Sequence, residues 1–150
     1  LQSSIDTFFI HQLNTTIAGC YIINAIDEKD NIGSFSDTIC IENCPFYNIP
    51  NTFTPNGDGA NDVFTPFPGW RFVKNIEMKI FNRWGSLVWQ TENPNINWDG
   101  TNQEDGKELN DGVYLYSGYY FVIRSDGSLE KRPLPQDDNG GGIIHLIRSN

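Results

Sequence analysis

Along most of this chain apolar and polar residues alternate over short stretches, and turn-forming residues break the alternation every few positions. In residues 70–82, Ile76, Met78 and Ile80 share one side of an extended chain, while Glu77 and Lys79 share the other. That two-residue period predicts a half-buried strand. Asn82-Arg83-Trp84-Gly85 interrupts the run and residues 86–92 resume it, which predicts a hairpin. Asn97-Trp98-Asp99-Gly100 predicts a second turn beside a buried Trp98. Residues 103–110 are polar and read as a loop. Residues 113–124 form the next strand, Ser125-Asp126-Gly127-Ser128 turns it, and residues 129–132 return. Residues 133–142 hold Pro133, Pro135 and three consecutive glycines, and read as a flexible excursion before a closing strand at 143–148. No stretch keeps a helical 3.6-residue period with caps. Strands at this spacing in residues 51–150, about seven in about 100 residues, predict an all-β, immunoglobulin-like antiparallel sandwich.

The stretch NTFTPNGDGANDVF, residues 51–64, divides the chain. All three cysteines precede it. Pro55 fixes φ at the start of a polar loop in which Gly57 and Gly59 are free to take positive φ. Asn56, Asp58, Asn61 and Asp62 bring several side-chain oxygens into a small volume. We read this stretch as the opening of a domain at 51–150, after a linker at 45–50 whose two prolines, Phe46, Tyr47 and Ile49 suggest a stiff connection.

Before the linker, residues 5–13, 19–27 and 34–41 read as strands. The polar link around Asp30, with Gly33, turns the last two into a hairpin. A hairpin centred near Asp30 puts Cys20 opposite Cys40. A disulfide there would close a loop worth ~3 kcal/mol in the chain-entropy model. Cys44 is left over, and could instead pair with Cys20 or with a cysteine outside this chain. Three free thiols are the alternative. Cys40-x3-Cys44 has no second Cys/His pair beside it, only His11 and His145 being present, so a zinc site has little support. The face of Tyr21, Ile23 and Ala25, with the turn and the Ser/Phe strand after it, resembles the last strands of a fibronectin type III-like sandwich, with Tyr21 near that fold's tyrosine corner. Two or three strands cannot bury both faces, so we expect residues 1–44 to complete a domain whose other strands lie upstream.

Composition narrows the function classes. Hydrophobic content of 38% suits a globular chain, and no run reaches the ~20 apolar residues of a membrane helix. A net charge of −9 disfavours nucleic acid, whose phosphates need clustered Lys and Arg. Catalysis has no motif behind it: neither G-x-S-x-G nor H-E-x-x-H occurs, and the carboxylates sit in turn contexts, Asp-Gly above all.

NTFTPNGDGANDVF resembles the opening of the type B C-terminal sorting domain of the type IX secretion system, also called the gliding-motility-associated C-terminal domain, of Bacteroidota. The resemblance continues through IFNRWGSLVWQT at 80–91, NWDGT at 97–101, DGVYLY at 111–116 and IIHLIR at 143–148, and covers about the last two thirds of the chain. It implies a β-sandwich that carries an adhesin-like protein through the type IX outer-membrane translocon to the cell surface or beyond. The implied partners are a β-barrel shuttle and PorP/SprF-like outer-membrane proteins, without direct membrane insertion. Residues 132–142 stretch the last hairpin beyond the usual pattern.

Three groups of residues are candidates for a site. Asn56, Asp58 and Asp62, with the Ala60 carbonyl, stand at loop positions 1, 3, 7 and 5 and could hold calcium, but Phe67 occupies the place of the bidentate Glu of an EF-hand. The competing reading is a set of Asx turns bonded to their own backbone. Trp70, Trp84, Trp89, Trp98, Tyr114, Tyr116, Tyr119 and Tyr120 could line a sugar-binding face, although such positions are more often core. A calcium-dependent adhesive or carbohydrate-binding sandwich is therefore the rival to a secretion signal. Finally, the closing strand is apolar on both sides, with Ile143 and Ile147 opposite Ile144 and Leu146. It reads as an edge that could pair with another chain, with Arg148 exposed at its end.

Overall fold

The spine of the molecule is β6 (Gly112–Ile123), whose sequence GVYLYSGYYFVI supplies apolar or aromatic side chains to both faces of a long strand. The computed structural model describes residues 18–148, and the strand expected at 5–13, with His11, lies outside the described residues. Two short strands come first, β1 (Gly19–Tyr21) and β2 (Ile39–Ile41), then β3 (Thr52–Phe53), β4 (Val73–Phe81) and β5 (Leu87–Thr91). After β6 come β7 (Leu129–Pro133) and β8 (Gly141–Leu146). No helix occurs among the described residues.

β4 pairs antiparallel with β6 from Val73↔Val122 to Phe81↔Leu115, and β5 folds back on β4 through the expected turn at 82–85. The other side of β6 is divided. Its first half pairs with β8 and its second half with β7. β3 runs parallel to β8 at the margin. The result is one six-stranded sheet in the order β3-β8-β6-β4-β5, with β7 also on β6. Ile76, Met78, Ile80, Tyr114, Tyr116, Ile144 and Leu146 point to one face, and all are buried. Extended segments cover that face, tied together by the isolated bridges Phe64↔Trp98 and Phe46↔Arg71. The architecture is thus all-β and immunoglobulin-like, with one regular layer and one irregular layer, and with six strands within 51–150 where about seven were expected.

Trp98 fills the centre. It is fully buried, with the rings of Phe53 and Tyr114 at 5.1 and 5.5 Å and its indole N–H donating to the Thr101 carbonyl at 2.9 Å. The 45–50 segment belongs to the same core. Tyr47 and Ile49 are buried in it, and the Tyr47 hydroxyl donates to the Pro94 carbonyl. Tyr47 and Ile49 thus face inward against the sheet, whereas Phe46 between Pro45 and Tyr47 is exposed.

The excursion at 133–142 is pinned, not flexible. Leu134 is fully buried, and its N–H donates to the Gly118 carbonyl. Gly118 N–H in turn donates to the Gly140 carbonyl at 2.8 Å. A Cβ on Gly118 would lie 2.0 Å from the Glu77 carbonyl oxygen, so only glycine lets β4 and Leu134 close together there. Asp137 accepts from the N–H groups of Asn139 and Gly141, and the Tyr116 hydroxyl donates to the Pro135 carbonyl.

The strands of the first segment are shorter than expected. β1 and β2 pair only over 19–21 and 39–41, followed by one bridge, Ile26↔Ile32. Among the described residues these two strands have no third neighbour, and a lone pair has little to hold it extended. Asp27 closes the turn by accepting from the N–H groups of Lys29 and Asn31.

Candidate functional site

The loop at 56–62 forms because its side chains substitute for missing backbone partners. The Asp62 carboxylate accepts three backbone N–H bonds, from Asn56 at 3.0 Å, Gly57 at 2.6 Å and Gly59 at 2.8 Å. Asn56 Oδ1 accepts from Asp58 N–H, and Asp58 Oδ1 from Ala60 N–H, two successive Asx turns. Gly57 and Gly59 have φ of 80° and 87°, values that L-residues rarely adopt. The N–H donors, first that of Gly57, hold the Asp62 carboxyl below the usual carboxylate range. Of the oxygens proposed for calcium, those of Asn56, Asp58 and Asp62 therefore face N–H groups and the Ala60 carbonyl accepts from the Thr54 hydroxyl, donors that a cation would have to displace. Among the described residues no three His, Cys, Asp or Glu side chains cluster as a metal site.

Next to this loop stands the end of the closing strand. Arg148 is not the exposed terminal charge that its position suggests. Its guanidinium donates to the carbonyls of Pro55, Gly100 and Leu109, at 3.0, 3.2 and 3.3 Å. Its own N–H donates to Asp111, and Glu108 lies 3.7 Å from the guanidinium. The planar fork of Arg reaches several acceptors at once, which the point charge of Lys cannot do. One side chain thus gathers the 56–62 loop, the Asn97-Trp98-Asp99-Gly100 turn, the 103–110 loop and the start of β6.

β8 is also not a free edge. Its N–H groups on the side away from β6 are all engaged: Ile143 donates to Gln136 Oε1, His145 to the Asn51 carbonyl and, just beyond the strand, Ile147 to the Phe53 carbonyl. Ile144 and Leu146 are fully buried and touch no outside surface, whereas Ile143 and Ile147 are exposed. At the opposite margin the loop residue Gln103 covers β5. Its N–H donates to the Val88 carbonyl and its Oε1 accepts from Gln90 N–H. Gln103 thus blunts the β5 edge, and Gln136 takes up the part of β8 that the two-residue β3 leaves uncovered. Sequence reading missed them because a glutamine in a polar loop carries no periodic signal.

The aromatic residues do not make one binding face. Trp98, Tyr114 and Tyr116 are buried, and Trp70, Trp89 and Tyr120 pack against the core. Trp84 stands alone at the β4–β5 turn, 73% exposed, with Arg83 stacked 4.2 Å from its ring centre. In the first segment Cys20 and Cys40 are in register and their sulfurs are bonded. Cys44 is exposed and joined to no other described cysteine.

No curated protein matches the chain. A family model does match, that of the CHU_C type IX secretion signal domain, over residues 47–132, more than half of the chain. The match begins at Tyr47, the first buried residue of the irregular layer, and includes the 56–62 loop, β4, β5, β6 and nearly all of β7. Such a domain is a transport signal, not a catalytic family, and implies export across the outer membrane to the cell surface or the extracellular space. The chain belongs to the type IX secretion signal domain family.

Proposed function

We propose that residues 45–150 are the address of an adhesin-like protein, read at the outer membrane by a β-barrel shuttle and a PorP/SprF-like protein. The family match carries this reading, since it falls on a folded unit with its own core. Residues 1–44 are then the last part of a fibronectin type III-like repeat that belongs to the cargo. Their surface supports this assignment. Ile23, Ile32, Phe35 and Ile39 are 74, 67, 64 and 66% exposed, apolar area that a neighbouring part of a larger domain would cover. The experiment is to fuse the whole chain behind a periplasmic reporter in a type IX-competent cell. The reporter should appear on the surface or in the medium. Its retention in the periplasm, with the fusion intact and folded, would overturn the reading.

A further inference from the structure

β7 keeps a bare edge. It pairs with β6 and, among the described residues, with no other strand. Leu134 N–H donates to the Gly118 carbonyl and Arg124 N–H to that of Ser128, so the even-numbered residues along β7 turn their backbone groups toward β6. By the two-residue period of a strand, Leu129, Lys131 and Pro133 turn theirs outward. Leu129 and Lys131 thus offer an N–H and a carbonyl each, and Pro133 a carbonyl alone. None of these backbone groups has a partner among the described residues. The other margins are guarded. Gln103 covers β5, β3 and Gln136 cover β8, and β3 itself is two residues long. An edge lysine ordinarily discourages pairing by standing in its way. Lys131 instead folds back across β6, its ammonium 3.9 Å from the Tyr119 ring centre and 3.9 Å from the Glu77 carboxylate. Arg124 and Arg132 likewise turn to Glu130.

We infer that the β7 edge takes up an extended segment of another protein, which adds to the sheet as a further strand. The inference rests on the export reading above and names how the signal is read. The family match runs through Arg132 and so takes in this strand. In strand addition the backbone bonds supply affinity and alternate side chains supply selection. On one face Leu129, Lys131 and Pro133 continue the rows of Ile123, Phe121 and Tyr119, and Leu129 is 54% exposed. The segment that fits therefore carries apolar residues at alternate positions, against Leu129 and Pro133. It needs no charge of its own, because Lys131, Arg124 and Arg132 already have carboxylates beside them. Two other occupants fit worse. Two copies joined edge to edge about a two-fold axis run antiparallel. Outward groups must meet outward groups, so the register sets Lys131 opposite Lys131, Glu130 opposite Glu130 or Arg132 opposite Arg132, and like charges directly opposite destabilise a strand pair. The chain's own first segment is fastened elsewhere. Asn43 takes the Ile123 carbonyl, an odd-numbered one that β6 turns toward β4, and Glu42 takes Ser125 in the turn.

The test uses the whole chain with the same periplasmic reporter. Lys131→Pro removes an outward N–H and leaves the β6–β7 bonds in place, as proline on an edge strand can. Lys131→Thr loses the same side chain and keeps the N–H. The two should melt within a few degrees of each other. Surface export should fall at least tenfold with Pro, and the Thr variant should export at least fivefold more than the Pro variant. Normal export of the folded Pro variant overturns the inference and leaves the export reading standing. Equal losses in the two variants also overturn it, because the Lys131 side chain is then what is read. Should the Pro variant fail to fold, Leu129→Lys decides: it sets a charge on the edge at an exposed position, a several-fold loss supports strand addition, and normal export overturns it. Hydrogen exchange on the purified parent should find the Leu129 and Lys131 amides fast and those of Glu130 and Arg132 protected. Slow exchange at Leu129 and Lys131 in a monomer shows that the chain covers its own edge and overturns the inference. A dimer of the parent that Lys131→Pro abolishes overturns the choice of another protein. Retention of the parent itself in the periplasm overturns the export reading, and the inference with it.

Discussion

Arg148 shows how a residue can be legible as a motif position and illegible in its role. Its carbonyl partners Leu109, Gly100 and Pro55 are 39, 48 and 93 residues away, so no local pattern announces them. Replacing it by Glu strands three carbonyls and adds a carboxylate beside Glu108 and Asp111. With hydrogen bonds to charged groups worth about 1.5–3 kcal/mol each, and this site only partly closed to water, Arg148→Glu should cost about 2–4 kcal/mol in denaturant unfolding. Arg148→Lys should cost less, but still more than an ordinary surface change. A variant as stable as the parent would show that the hub is idle. Asp62 is the opposite case, where Asn, Gly and Asp in sequence announce the loop directly. Its carboxyl is depressed by the N–H groups of Gly57, Gly59 and Asn56. The sign follows: a depressed carboxyl contributes stability that is present above its unfolded value, about 3.9, and is lost as pH falls through the folded one. Asp62→Asn should therefore melt lower than the parent by a constant gap above about pH 5, and the gap should close in acid. A pH-independent gap refutes the charge-based account. On the turn reading a chelator should leave the melting temperature of the parent unchanged; a drop of many degrees would decide for the calcium reading.

For elements, alternation served well wherever a strand lends one face to the core, in the middle of the sheet and at its β5 edge alike. β4, β5 and β6 lie within a few residues of their expected places because Ile76, Met78 and Ile80, or Tyr114 and Tyr116, fill one buried face. The 133–142 segment defeated the same reasoning. Glycine and proline read as freedom, whereas Gly118 is required by close approach and Leu134 is a core side chain inside a loop. Gly118→Ala must push β4 or Leu134 away, so it should destabilise by about 1–3 kcal/mol or more. Leu134→Ala should cost about 2–5 kcal/mol through the cavity it leaves. A double variant costing less than the sum would show that both act through one contact, as a shared site does; strict additivity would separate them. In the first segment the turn at 27–31 was readable from its Asp and Asn, but strand length was not, because among the described residues β1 and β2 pair only with each other.

At the scale of the whole molecule the described residues form a two-stranded and a six-stranded sheet, and the boundary expected at Asn51 leaves Tyr47 and Ile49, which pack in the core of the larger sheet, outside the domain expected to begin there. The two-stranded part is joined to the six-stranded one by bonds from Asn43 to the Ile123 carbonyl, between Glu42 and Ser125, and from Arg71 to the Cys44 carbonyl. Bonds at or near the surface contribute little. Removing residues 1–44, which breaks all of them, should thus leave the main unfolding transition close to its place. Removing residues 141–150 should abolish it. β8 lies between β6 and β3, Ile144 and Leu146 are fully buried, and Arg148 gathers the loops above Trp98. Two such side chains at about 2–5 kcal/mol each, with their ladder and the Arg148 contacts added, reach the ~5–15 kcal/mol on which a domain of this size stands. Loss of export on truncation then follows from loss of the fold and says nothing about contact. Circular dichroism and hydrogen exchange on the two truncations decide the matter. If the chain without residues 141–150 keeps a cooperative transition and protected β4–β6 amides, the closing strand is dispensable to the fold. Its role in export would then have to be direct, through Ile143 and Ile147, the two of its aliphatic residues that reach the surface.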